Sequence, residues 1–131
     1  MLKGCHLEDF RRLKDIVFHK KFLKYIKIVA DSCDFEVCGV VTINKLYFLK
    51  NNSLDIKNEF ILCPSAYYSF YSSILCVFHS HIYGSPDMSL LDIDSAKNSL
   101  LPQLIYSKPE NSFLYYDINS QKKFIFSLSC V

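Results

Sequence analysis

The sequence predicts a single α/β domain in which a mixed central sheet is packed by two or three helices. Three observations predict it. The chain has 131 residues, 50% apolar and 21% charged, enough for one hydrophobic core and within the ~100–200 residues of an ordinary domain. Its first third carries apolar residues at helical spacing. From Glu36 onward, short apolar runs bounded by polar turns replace that spacing, the pattern of strands. With three Gly and four Pro, collagen-like and linker-like architectures are excluded, and no internal repeat is present.

A short helix is expected from about Leu7 to Val17, followed by a longer one. Phe18, Phe22, Ile26 and Ala30 recur every four residues, Leu23 and Ile28 widen the stripe, and lysines fill the remaining face. Asp31-Ser32-Cys33-Asp34 interrupts it. Glu36–Ile43 and Lys45–Leu49 read as strands joined at Asn44 in an antiparallel hairpin. A polar loop runs from Asn51 to Glu59, and Phe60–Cys63 is expected to be a third short strand. Pro64 suits the first turn of a helix through Ala66, Tyr67, Phe70 and Tyr71. Ile74–Phe78 is a continuous apolar run, as in a strand buried on both faces. Gly84-Ser85-Pro86-Asp87 is turn chemistry. Helical spacing resumes from Ser89 to Leu100 with Leu90, Ile93 and Ala96. Strands are then expected at Gln103–Tyr106, Phe113–Asp117 and Phe124–Leu128.

The net charge of +2 is too small to argue for nucleic acid, but it is unevenly spread. Eight of the 15 cations and only three acids lie in the first 27 residues, a net +5 against −3 for the rest. Such a stretch suits either solvated helix faces or a docking extension for a protein partner. The six cysteines do not read as a secreted framework. Charges in MLKGCHLEDFRRLK interrupt any apolar signal region, and Cys33, Cys38, Cys63 and Cys76 sit among apolar neighbours like reduced, buried thiols. No CxxC pair is present to form a zinc ribbon. Phe60–Pro86 lacks charged residues, yet Pro64, its serines and two histidines make poor hydrocarbon. A cytoplasmic protein with no membrane span is the expectation.

The informative stretch is His79-Ser80-His81, at the end of the buried strand. Residues two apart in a strand point to one face, so both imidazoles project together. That is half of a tetrahedral zinc site, and it is equally an ordinary pair of histidines at a strand end. Ser89-Leu90-Leu91-Asp92 has the form of a capping box, with Ser at the N-cap and an acid at N3. The same carboxylate, on a first helical turn joined to the strand by a short Gly/Pro turn, is placed to complete a His/His/Asp set. Glu36 opens an otherwise apolar strand. It is a solvent-facing end residue, or, if its strand neighbours His79–His81, a carboxylate within reach of a metal-activated water. Gly39 permits close backbone approach.

Together these residues resemble the motif of the JAMM zinc metalloprotease family: a distant Glu, then His-x-His, seven residues, Ser, two residues, Asp. Here that is Glu36, His79-Ser80-His81, Ile82 to Met88, Ser89 and Asp92. Glu36-Val37-Cys38-Gly39 is similar to the family's Glu-x-Cys-Gly segment. The likeness extends from about Ala30 to Ser107, including Asn51-Asn52 ahead of Phe60 and the Leu101-Pro102 step. It is nearest to prokaryotic and phage members, including the N-terminal domain of tail-tip assembly proteins. Unlike in those, no following cell-wall peptidase domain is expected within these 131 residues. Ile82 departs from the Pro that many members carry after the second His.

The resemblance implies a JAB1/MPN, cytidine-deaminase-like fold over residues 29–131, with residues 1–28 as a basic helical extension. It implies His79, His81 and Asp92 as ligands of one zinc ion per chain. Glu36 would be general base and then general acid, and Ser89 a donor to the water or the oxyanion. The implied activity is hydrolysis of a peptide or isopeptide bond in a protein or peptide substrate, with a ubiquitin-like or a phage or bacterial protein as options. The alternative is a non-catalytic MPN-type scaffold or phage tail-assembly component. The implied location is cytoplasmic or phage-associated.

Overall fold

A computed structural model describes residues 20–42 and 45–128. Helix α1 (Lys20–Asp31) is followed by strands β1 (Cys38–Val41) and β2 (Leu46–Leu49), then helix α2 (Pro64–Phe70) with a 3-10 turn at Tyr71–Ser73. Strand β3 (Cys76–His81), helix α3 (Leu90–Ser99) and strands β4 (Gln103–Ser107), β5 (Ser112–Asp117) and β6 (Lys122–Phe126) complete it. The strands form one six-stranded mixed sheet in the order β2-β1-β3-β4-β5-β6. Only β3 and β4 are parallel, and α3 lies in the crossover that a parallel pair requires. The expected class, a small α/β domain with a mixed sheet and three helices, is the observed one. The helix expected from Leu7 to Val17, together with Phe18, Cys5, Asn44 and Cys130, lies outside the described residues.

Two apolar layers sandwich the sheet. On one face α1 buries Leu23, Ile26 and Ala30 against Val41, Phe78, Leu104 and Phe113. On the other, Val40, Ile74 and Val77 meet Tyr47, Phe60, Leu62, Tyr67 and Leu101. Strand alternation assigns the sides: Cys76 and Phe78 face α1, whereas Val77 faces the second layer. The boundary expected after residue 28 falls inside α1, whose Leu23 and Ile26 belong to the domain's own core.

Several expectations are corrected. Ile28 is exposed, because it lies two residues, or ~200° of helical rotation, from Ile26. The α3 leucines do not form a packing face. Leu90 is 82% and Leu91 57% exposed, Leu100 is exposed at the C-cap, and the buried positions are Asp92 and Ala96. Phe60–Cys63 is not a strand of the sheet. It makes one isolated bridge, Asn51 with Leu62, because the segment lies over the second apolar layer instead of at the sheet edge. β3 begins at Cys76 instead of Ile74 and runs through both histidines, all six residues buried. Cys33, Cys38, Cys63 and Cys76 are free thiols, but only Cys38 and Cys76 are buried. No helix among the described residues is long and apolar enough to cross a membrane.

Gly39 is required by packing. A Cβ there would collide with the Tyr47 carbonyl oxygen of β2 and would lie 2.5 Å from the Phe78 ring of β3, and the backbone contact cannot rotate away. Gly39→Ala is therefore expected to destabilise the domain by about 1–3 kcal/mol or more, the range of core overpacking, read as a lowered denaturation midpoint in urea. An unchanged midpoint would contradict this packing.

Candidate metal centre

The site is built on β3. His79 and His81 project from the same face as Val77, and Ser80 points to the other. Ser80 ties β3 to the start of β1: its Oγ accepts the Val37 N–H at 2.9 Å and its own N–H donates to the Val37 carbonyl at 2.9 Å. β1 and β3 pair antiparallel with Cys38 opposite His79. Continuing that register by two residues sets Glu36 across from His81. Residues opposite one another in an antiparallel pair share a face, so Glu36 is on the histidine side, where it is 4% exposed.

Asp92 comes from α3. The expected capping box is present: Ser89 Oγ accepts the Asp92 N–H at 3.1 Å, and Asp92 Oδ2 accepts the Ser89 N–H at 3.0 Å. The reciprocal bonds hold the Asp92 carboxylate at the helix N-terminus, facing β3. Asp92 Oδ1 lies 3.1 Å from His79 Nε2, Asp92 Oδ2 lies 3.0 Å from His81 Nε2, and the two imidazole nitrogens are 3.2 Å apart. All three sequence-singled ligands thus converge, each offering one donor atom.

The donor set fits a cation. His81 Nδ1 is 2.9 Å from the Ser85 carbonyl oxygen, which only accepts, so that nitrogen carries the hydrogen. Neutral His81 then presents a bare Nε2 to a carboxylate oxygen and to a second imidazole nitrogen, an arrangement that a proton or metal ion between them relieves. Ligand atoms at ~2.0–2.1 Å from a tetrahedral zinc are ~3.3 Å apart, close to the observed separations. His79 is oriented differently. Its Nδ1 is buried without a hydrogen-bond partner among the described residues, and its ring is held by stacking on Phe60, with centroids 4.1 Å apart and planes at 21°.

The electrostatics follow from burial and these contacts. Burial pulls His79 below its ordinary value. At His81 burial is outweighed by the bonds to Asp92 and the Ser85 carbonyl and by the Asp92 and Glu36 charges, and its pKa is raised. At Asp92 burial is likewise outweighed, by the two imidazoles and the Ser89 amide, and the carboxyl is held well below the usual range. Glu36 is the exception. Burial, only partly offset by His81 and reinforced by Asp92, Glu59 and Asp55, pushes its carboxyl up to about 8.

Ser89 is brought beside Asp92, but it is exposed and its oxygen accepts within the cap, leaving its hydroxyl proton available to donate. Three positioning groups were not singled out from sequence. Phe60 stacks on His79, and the Ser85 carbonyl sets the His81 tautomer. Asn51 donates to the carbonyls of Glu36 (2.9 Å) and Glu59 (3.0 Å) and accepts from the amides of Ser53 and Ile61. Asn51-Asn52 was visible only as part of a family pattern, and neither Phe60 nor a backbone carbonyl carries a signal of its own.

No protein-family model matches the chain, and no curated protein matches it. Among solved structures, the solution structure of protein DSY2949 from Desulfitobacterium hafniense is similar. The two are 20% identical with a TM-score of 0.57, over 82% of this chain and 87% of that one. At that identity the likeness establishes the fold alone.

A sign follows for Glu36. A carboxyl raised from 4.5 to about 8 on folding binds its proton more tightly in the folded state. The stability it contributes is complete below 4.5 and is lost as pH rises through about 8. In metal-free protein, Glu36→Gln is expected to raise the Tm relative to the parent increasingly between pH 5 and 8, read by thermal unfolding at several pH values. A difference independent of pH would show that Glu36 is not held in a desolvated position. Separately, Ser89→Ala removes one half of the capping box and is expected to cost about 1 kcal/mol of stability, measured in the same way.

Proposed function

We propose that this protein is a zinc-dependent hydrolase of peptide or isopeptide bonds, of the JAMM type, with a JAB/MPN-like arrangement of its sheet and helices. The observation that carries the reading is the convergence of His79, His81 and Asp92 with their donor atoms 3.0–3.2 Å apart, beside a buried Glu36 in register with His81. A side-chain set of two imidazoles and one carboxylate leaves a fourth tetrahedral position open, the composition of a catalytic site and not of a closed structural one.

Zinc bound by His79, His81 and Asp92 supplies Lewis acidity toward a carbonyl oxygen and acidifies water. The remaining chemistry belongs to the chain. The Glu36 carboxylate accepts the proton of the attacking water and delivers it to the departing amine nitrogen. A buried carboxyl whose pKa is pushed to about 8 is suited to both halves, since a general acid/base works best near the ambient pH. The Ser89 hydroxyl, its oxygen fixed by the Asp92 amide, is free to donate to the oxyanion as charge develops. Asn51 and Ser80 position Glu36 by bonding the two ends of the peptide unit that joins it to Val37, the Glu36 carbonyl and the Val37 N–H. An α-amine and a Lys ε-amine make the same demand on Glu36, so these groups serve peptide and isopeptide bonds alike.

Calorimetric titration with Zn2+ is expected to give one equivalent per chain, and His79→Ala or Asp92→Ala to weaken binding at least tenfold. Glu36→Gln should keep the zinc and the fold but lower turnover of linear and isopeptide-linked reporter peptides by ~10²–10⁴-fold. Bound zinc with turnover unaffected by Glu36→Gln would sink the mechanism, and bound zinc with no turnover by the parent would favour the non-catalytic scaffold.

A further inference from the structure

The carbonyl that fixes the His81 tautomer comes from a weakly supported place in the fold. Tyr83, Gly84 and Ser85 are all exposed. Gly84 takes a φ of 72°, in the left-handed region that glycine enters freely. Beyond its chain neighbours, a Cβ built on Gly84 would meet nothing within 4 Å, so packing around that residue does not set the path of the chain. Yet the Ser85 carbonyl oxygen lies 2.9 Å from His81 Nδ1, and the turn leads on to Ser89 and Asp92. On the Gly84 side, the turn needs a hold from outside itself.

Ser107 supplies that hold. It is the last residue of β4, fully buried, and stands beside His81 in the parallel β3–β4 register. Its Oγ donates to the Gly84 carbonyl at 2.7 Å and accepts the Glu110 N–H at 3.1 Å. A hydroxyl has one hydrogen to give, and here it goes to Gly84. One residue on, the Lys108 N–H donates to the His81 carbonyl at 3.0 Å. The same end of β4 thus grips His81 through the backbone and the turn through a side chain. Past Ser85 the chain is anchored by the buried Pro86. Ser85 is therefore held from both sides, by Pro86 after it and by Ser107, through Gly84, before it.

We propose that Ser107 is a positioning residue of the metal centre: its hydroxyl, through the Gly84 carbonyl, keeps the Ser85 carbonyl on His81 Nδ1 and so leaves His81 Nε2 bare for a cation. Which imidazole nitrogen carries the hydrogen is set by the bond that the other makes. Released from Ser85, the ring can place its hydrogen on Nε2 against the Asp92 carboxylate, which lies 3.0 Å away. That hydrogen competes with a metal for the same nitrogen. Ser107 lies outside the set of Glu36, His79, His81, Ser89 and Asp92 and acts only through other groups. As a determinant of zinc affinity the assignment rests on the proposed metal site, whereas the hold on His81 does not.

The test runs NMR and zinc titration on the full chain side by side. In metal-free protein the His81 Nδ1–H is expected as a protected downfield proton, identified by its absence from His81→Gln. In Ser107→Ala that proton should exchange with water about tenfold faster or more. Zinc binding should weaken by roughly three- to tenfold, less than the ~10–100-fold of a group bonded directly to a metal ligand. Ser107→Thr keeps the hydroxyl and should restore both. Ser107→Cys keeps the size of the side chain but offers only a weak donor; it should behave like Ser107→Ala, and it stands in should Ser107→Ala not fold. Unchanged exchange in Ser107→Ala and Ser107→Cys, faster exchange with unaltered zinc affinity, or no restoration by Ser107→Thr would each overturn the assignment. If the parent takes up no zinc, the metal reading falls, and the exchange rates alone decide whether Ser107 holds His81.

Discussion

The antiparallel pairing of β1 with β3 is the constraint on which the rest depends. Cys38 opposite His79 brings Glu36 level with His81 on the histidine face. A slip of one residue would turn Glu36 into the α1 layer and Val37 toward the imidazoles, because side chains alternate with a period of two. The register is held from the reverse side of β3, where Ser80 makes two hydrogen bonds to Val37. Gly39 serves the same pairing by letting β2 and the Phe78 ring close on β1. The middle residue of the His-x-His triplet thus positions the acid without touching it.

Asp92 carries two duties that reinforce each other. As N3 of α3 it completes the helix cap, and as an anion at a helix N-terminus it is favoured by the unpaired amides there. The same bonds present its two oxygens to the two imidazoles. Burying carboxylates and histidines together is unfavourable unless every lone pair and proton finds a counterpart. Asp92 meets that condition through Ser89 and the histidines, and His81 through the Ser85 carbonyl. Among the described residues His79 Nδ1 finds no counterpart, and burial pushes the Glu36 carboxyl up to about 8. Glu36 is thus the carboxyl of the cluster whose titration is moved toward neutral pH.

The segment between β2 and β3 links this cluster to the surface. Asn51 braces it by bonding to the backbone of Glu36, Ser53, Glu59 and Ile61, so the loop that carries Phe60 is tied to the residue that carries the acid. Phe60 then packs on His79 and lines a cleft of about 550 Å3 between its loop, β3 and α3. The His79–His81–Asp92 cluster and that cleft thus share Phe60, whose loop Asn51 ties down.

The residues alone disclosed a single small α/β domain, most of its elements and the three side chains that cluster, His79, His81 and Asp92. These are local properties: the 3.6-residue period of α1, the apolar run into β3, the two-residue spacing of His79 and His81, and the capping pattern from Ser89 to Asp92. Tertiary structure alone decided which neighbours those elements meet. Phe60–Cys63 has the composition of a strand but lies over the sheet because it packs on Val77 and His79. Leu90 has the i, i+3 spacing of a packing face with Ile93 and Ala96, yet α3 is oriented by Asp92 and Ala96 and leaves Leu90 outside. Glu36 becomes a buried acid only because β1 lies beside β3 in one register. Pairing partners, register and burial arise from contacts between residues far apart in the chain, and no local pattern encodes them.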